Sequence, residues 1–416
     1  MEVVSGQWSV VSGEWLVLAL SHSSHLTLHS STWVRVGSDG EQHKKDQQLQ
    51  QFFQTSMSSK LLSRVRSLLE RQERIGVDDC QELFQVKDLA AIATLARIPR
   101  ERRHGRNAHY RAIVPLTVAT VDDLAQAGGQ LEPESGAVGI AVRPDGQAAA
   151  TLGALMELQS AMRLLPLPAT LFISAGIIAR AAEATGSSIP EAVQALAGGG
   201  GVFINGDEAE LSDAMFRTAH TAAAIPFPQW LAVHRAAHAA GLKTGASMLY
   251  TVHDRPAEYA AHLQAIRQLQ DETNGFVQFV PMGVQNRDVA EWYLVAPTAA
   301  QSLRVVAVAR MFLDSIPHIA VAPSLITSEE SFVALSYGAN MVDSTIAVGD
   351  VCSDEGLGVA AAGGASLPVI AASTARQRGG ILPRTIHSRI VESRHIPVPM
   401  DAAFGEISSL TILAQQ

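Results

Sequence analysis

The sequence predicts an α/β fold: a TIM-type β/α barrel, full or partial, entered through a helical N-terminal lead-in. Three observations carry this. Short apolar runs alternate with helical patterns from residue 107 to residue 350. No G-x-G-x-x-G follows the first strand, which disfavours a nucleotide-binding doubly wound sheet. The 416 residues are 47% hydrophobic and 17% charged, which suits a large buried core.

Taken in order, residues 57–106 read as the lead-in. SKLLSRVRSLLERQERIG has apolar residues at helical spacing and stops at Gly76. VDDCQELFQ opens a second helix with acidic residues in its first turn, and KDLAAIATLARIPRERRHG forms a third. The barrel is expected over 107–350. Its strand candidates are RAIVPLTVA from Arg111, AVGIAVRPD from Ala137, ATLFISAG from Ala169, GVFING from Gly201, GASMLYTV from Gly245, GFVQFVPMGV from Gly275, HIAVAPSLI from His318 and GANMVDSTIAV from Gly338. Helical patterns such as TLGALMELQSAMRLL and AEYAAHLQAIRQLQD separate them. The run Gly198–Gly201 precedes a strand rather than opening a helix, so it reads as a turn and not a phosphate cradle.

Residues 1–56 differ in character. VSG-x-W occurs at Val4 and again at Val11, and a Ser-, His- and Gln-rich stretch follows. The expectation is a disordered extension or upstream read-through, with the native start at Met57. Residues 351–416 are expected to be a C-terminal extension rich in small residues.

A net charge of −9 without a dense basic cluster excludes a nucleic-acid surface. No run of 18 apolar residues is present, so no membrane span is expected. Two cysteines, Cys80 and Cys352, suit a reducing cytoplasm. Pairs and trios of histidine (His234 and His238; His22, His25 and His29) lack further ligands at metal spacing, so no metal site is expected.

Three segments closely resemble aminofutalosine synthase, a radical S-adenosylmethionine (SAM) enzyme of menaquinone biosynthesis by the futalosine route. They are WLAVHRAAHAAGLKTGASMLY, LQDETNGFVQFVPM and LRVVAVARMFLDSIPHIAV. The resemblance implies a radical SAM barrel, a [4Fe–4S] cluster and transfer of SAM's adenosyl group to an enolpyruvyl-benzoate. Such a cluster is held through thiolates. The loop after the first strand, placed at Pro115–Asp123, contains none. The turn expected to meet the SAM amine reads AVRPDG, and Pro144 there removes a donor. His253 follows MLY one position later than the family's histidine.

These departures lead to the expectation of a pseudoenzyme, or of a non-radical ligand-binding or accessory protein, with no cofactor and no catalytic residue assigned. The alternative is an active aminofutalosine synthase. The candidate pocket, at the C-terminal strand ends, comprises Asp145, Ser174, Asn205, Tyr250, His253, Gln278, Gln285, Ser324 and Asp343. A small aromatic or nucleoside ligand and a catalytically intact synthase paralogue are the expected partners.

Overall fold

The computed structural model describes residues 9–11, 14–16, 57–128, 137–145, 149–206, 225–283, 297–322, 328–343 and 383–408. The chain separates into two units, Met1–Ser56 and Met57–Gln416. In the first, β1 (Ser9–Val11) and β2 (Glu14–Leu16) pair antiparallel, with Val10 opposite Trp15. Val11, Glu14 and Trp15 of these strands belong to the second VSG-x-W copy; the first, Val4–Trp8, lies outside the described residues.

The second unit begins with helix α1, residues 57–70, followed by α2 (Val77–Leu83) and α3 (Leu89–His104). Asp88 caps α3 by accepting from the Ala91 amide. The buried residues Leu61, Val65 and Leu69 follow helical spacing along α1 and join the main core.

The strands are β3 (Asn107–Arg111), β4 (Ile113–Val118), β5 (Gly139–Pro144), β6 (Ala169–Ile173), β7 (Val202–Ile204), β8 (Thr244–Tyr250), β9 (Phe276–Gly283), β10 (His318–Val321), β11 (Met341–Val342) and β12 (Ile396–Met400). All ten belong to one sheet, ordered β12-β3-β11-β10-β9-β8-β7-β6-β5-β4, and every pairing in it is parallel. β3 and β4 are halves of one segment interrupted at Ala112. β3 is second in the strand order and β4 is last, so one stretch of chain serves both sides of the sheet, which curls as a partial TIM-type barrel.

Helices join the strands: α4 (Val121–Gly128), α5 (Leu152–Met162), α6 (Ala175–Thr185), α7 (Ile189–Gly199), α8 (Phe227–Ala239), α9 (Pro256–Thr273), α10 (Ala299–Phe312), α11 (Ser328–Ala334) and α12 (Pro383–Glu392). Local sequence explains their starts. Ser188 with Glu191 and Thr298 with Gln301 form capping boxes at α7 and α10. α7 runs through Gly199, and Gly200 and Gly201 take φ of 71° and 57° before β7. The four-glycine run is a helix stop and turn.

Two apolar layers result. The larger lies between sheet and helices and includes Trp230, Phe276, Phe279 and Phe312. The smaller fills the barrel with Ile113, Ala141, Phe172 and Phe203, with Phe404 packed against them. At Gly206, just past β7, an added Cβ would lie 2.4 Å from the Ala246 carbonyl carbon and 2.5 Å from the Ser247 nitrogen. Backbone approaches backbone too closely for any side chain. Gly206→Ala is expected to destabilise the fold by about 3 kcal/mol, seen as a lower urea midpoint with an unchanged slope.

Two sequence expectations change here. RAIVPLTVA is not one strand: it holds β4 and only the last residue of β3, because the neighbours change at Ala112, whose amide donates to the Met400 carbonyl while its own carbonyl accepts from the Val138 amide. The region after residue 350 also contributes a strand. In β12, IPVPM, the Ile396 amide donates to Arg106, so alternate amides face β3. Pro397 and Pro399 fall on the other set, where no donor is needed.

Candidate active site within the barrel

The barrel interior holds a buried cation. Arg111, the last residue of β3, is fully buried, and its guanidinium carbon lies 4.9, 4.4 and 4.2 Å from the ring centres of Phe172, Phe203 and Phe404. Phe172 and Phe203 come from β6 and β7, and Phe404 reaches in from the turn after β12. Asp343, directly after β11, is also fully buried and stands 3.6 Å from the Arg111 Nε. The Gln278 amide of β9 donates to the Asp343 carboxylate at 3.1 Å.

None of the three guanidinium nitrogens of Arg111 makes a hydrogen bond. Burial pushes its pKa down, opposed by the charges of Asp343 and Asp401. Arg310 provides a comparison within the same fold. It is equally deep, but its N–H groups donate to the Gly338 carbonyl at 2.8 Å, the Pro317 carbonyl at 3.2 Å and the Asn340 side chain. Arg310 is a structural brace. Arg111 has the same burial with its donors unused, so its desolvation is offset only by the Asp343 charge and the three rings and not by hydrogen bonds.

The sequence-derived pocket residues divide into several groups. Gln278 and Asp343 meet each other beside Arg111. Asn205, directly after β7, is buried with its Oδ1 unpartnered. Ser174 is buried at the end of β6, where its hydroxyl caps α6 by accepting from Ile177. Tyr250 is buried against Tyr259 of α9, at 5.8 Å between ring centres, and hydrogen-bonds Ser302 of α10, so it faces the helical layer. Asp145 and His253 are exposed. Gln285, Ser324 and the trio His22, His25 and His29 lie outside the described residues. Arg111, Phe172, Phe203 and Phe404 were missed by sequence reasoning. The available signal was an arginine directly before an apolar run, which reads as a solvated strand entrance.

His234 and His238 are not arranged around a metal. Both meet the Thr244 hydroxyl, at 2.9 and 2.8 Å, and His238 also meets that of Thr273 at 2.6 Å.

No protein-family model matches the chain. It is 34% identical over 162 residues to the aminodeoxyfutalosine synthase of Thermus thermophilus, a match covering 38% of this chain and 43% of that protein. It is 26% identical over 311 residues to the aminodeoxyfutalosine synthase of Streptomyces coelicolor, covering 66% and 80%. It is 32% identical over 175 residues to the FO synthase of Mycobacterium leprae, covering 41% and 20%. The matched part thus spans less than half of the Thermus relative. Among solved structures, HydG from Carboxydothermus hydrogenoformans superposes with a TM-score of 0.61 at 11% identity, covering 87% of this chain and 84% of that one. Methylornithine synthase PylB superposes with a TM-score of 0.57 at 12% identity, covering 85% and 100%. At these identities the two structures speak to the fold alone.

These relatives correct one expectation. They are radical SAM enzymes, a class that uses a [4Fe–4S] cluster and SAM, so expecting no cofactor conflicts with the kinship. The cysteines of this chain do not match the cluster's usual three-thiolate set. Cys80 is fully buried in α2, and burial pushes its thiol pKa up, away from the thiolate that iron needs. Cys352, the second of two, lies outside the described residues. The loop after the first strand is also shorter than expected: β4 continues to Val118 and α4 begins at Val121. The chain carries a TIM-type barrel and is similar to the aminodeoxyfutalosine synthases and FO synthases, radical SAM enzymes whose barrel HydG and PylB share.

Proposed function

We propose that this chain is an aminodeoxyfutalosine synthase-like barrel that holds an acidic aromatic or nucleoside ligand of cytoplasmic menaquinone biosynthesis, without performing the radical step itself. The observation that carries the reading is Arg111. Its two Nη edges suit a bidentate carboxylate, and the rings of Phe172, Phe203 and Phe404 suit an aromatic body. Gln278, whose Oε1 has no partner, and Asn205, whose Oδ1 has none, supply acceptors for ligand hydroxyl or amine groups. Accessory binding to an intact synthase fits the same reading. A second reading, an active synthase, is favoured by the match over 80% of the Streptomyces coelicolor enzyme.

Calorimetric titration with an enolpyruvyl-benzoate and with a futalosine-type nucleoside tests the proposal. Micromolar binding of either, weakened at least tenfold when the carboxylate is converted to its amide, is the expected result. Absence of binding by both removes the ligand reading. After anaerobic reconstitution, conversion of SAM and the enolpyruvyl-benzoate into a futalosine-type product would establish the second reading instead.

A further inference from the structure

The N-terminal end of the barrel brings together three imidazoles, two of them five residues apart and the third more than 200 residues further on. His104 ends α3, His109 lies in β3 and His318 opens β10. Ring centres are 5.4 Å apart for His104 and His109, 5.5 Å for His104 and His318, and 4.9 Å for His109 and His318. One ring nitrogen from each falls within 4.8 Å of the other two. We propose that His104, His109 and His318 form a binding site for a divalent transition-metal ion of the zinc class, with Glu406 orienting His109.

The hydrogen bonds behind the rings support this. His104 Nε2 is 2.9 Å from the Pro317 carbonyl, which only accepts, so Nε2 donates and Nδ1 keeps its lone pair. His109 Nε2 is 3.2 Å from a Glu406 carboxylate oxygen, and its Nδ1 is buried with no partner. A carbonyl or a carboxylate behind the ring is the arrangement that fixes the tautomer of a metal-bound histidine. Imidazole donors favour zinc, nickel and copper over calcium or magnesium.

The third ring sets the affinity. Asn340 Oδ1 accepts from Arg310 and from the Ile319 amide, so its Nδ2 must be the group that donates to His318 Nδ1 at 2.9 Å. The proton of His318 is then on Nε2. Ligation through Nε2 moves that proton to Nδ1, against the Asn340 amide. Tetrahedral ligand nitrogens at about 2.1 Å from zinc stand about 3.4 Å apart, so the cluster contracts by up to about 1.4 Å on binding. A carboxylate at position 340 would accept the Nδ1 proton and keep the Arg310 and Ile319 contacts.

The test uses the full chain without an affinity tag. Zinc titration by calorimetry and visible absorption of the cobalt-substituted protein are compared across variants. One tight site with a tetrahedral cobalt band is expected. His109→Ala should weaken zinc at least about 100-fold, Glu406→Gln about 10-fold, and Asn340→Asp should strengthen it about 10-fold. Glu406 is 63% exposed in its side chain, so Glu406→Gln tests the site even if His109→Ala fails to fold. No cobalt band in the wild-type chain, or zinc affinity unchanged in both Glu406→Gln and Asn340→Asp, overturns the proposal.

Discussion

Arg111→Met is expected to abolish carboxylate binding in the barrel and to lower stability by about 3 kcal/mol, whereas the double variant Arg111→Met, Asp343→Asn regains that stability without regaining binding. The reasoning follows the two roles of the guanidinium. Removing it takes away the cation 3.6 Å from the buried Asp343 carboxylate, and breaking a buried pair on one side costs about 3–5 kcal/mol. The lower end applies because Asp343 keeps its bond from Gln278. Methionine has a similar length and packs well against Phe172, Phe203 and Phe404, so little cavity is left. Making residue 343 neutral as well replaces an ion pair by an uncharged pair, which is often neutral or stabilising. Neither variant can clamp a carboxylate, so affinity falls at least about 100-fold in both, as expected for a buried charge-assisted contact worth about 3 kcal/mol. Urea unfolding and calorimetry on the same preparations separate the two effects. Failure of the double variant to fold would make Arg111 a brace like Arg310 and remove the ligand reading.

Acid should unfold this protein early, with stability falling as pH drops from about 6.5 towards 4. His234 is fully buried and held neutral, with its pKa well below the ordinary value, first by desolvation and then by the charge of His238. Desolvation also pushes His238 down to about 4, helped by Lys243 and Arg235. Both histidines reach about 6.5 in the unfolded chain. The folded pKa values are depressed, so the unfolded state binds more protons below pH 6.5. Stability is therefore complete above 6.5 and lost progressively below it, at up to about 1.4 kcal/mol per pH unit for each ring. For the partly exposed His238, solvent screening makes the real slope smaller. His238→Gln, which keeps a partner for Thr244 or Thr273, should flatten the pH dependence between 6.5 and 4. A pH profile identical to that of the wild type would show that His238 does not contribute to acid unfolding.

Periodicity revealed most of the barrel because parallel strands buried on both faces read as short apolar runs. The segment Gly241–Asn286 is the clearest case: its two apolar runs are β8 and β9, and the helix between them is α9. β12 was not legible, because two prolines in five residues normally argue against a paired strand. Gln278 and Asp343 could be named because a polar residue near a strand end interrupts an apolar pattern. Arg111 could not. It follows a polar NAHY stretch and looks solvated until β3 is known to precede it and pair on both sides. The three-histidine cluster was invisible for another reason: His104 and His109 lie five residues apart on different elements, and the third ring, His318, comes from a strand more than 200 residues away.

The segment 107–118, which serves both sides of the sheet, has a consequence for synthesis. β3 leaves the ribosome early, but its partners are residues 341–342 and 396–400. At about 5–20 residues per second, it waits roughly 15–60 s for the last of them. Throughout that interval its amides and carbonyls form an open edge, available to any other extended chain. A nascent chain stalled before residue 396 would therefore leave one edge of β3 unpaired, and a chaperone that shields residues 107–111 would raise the yield of native protein.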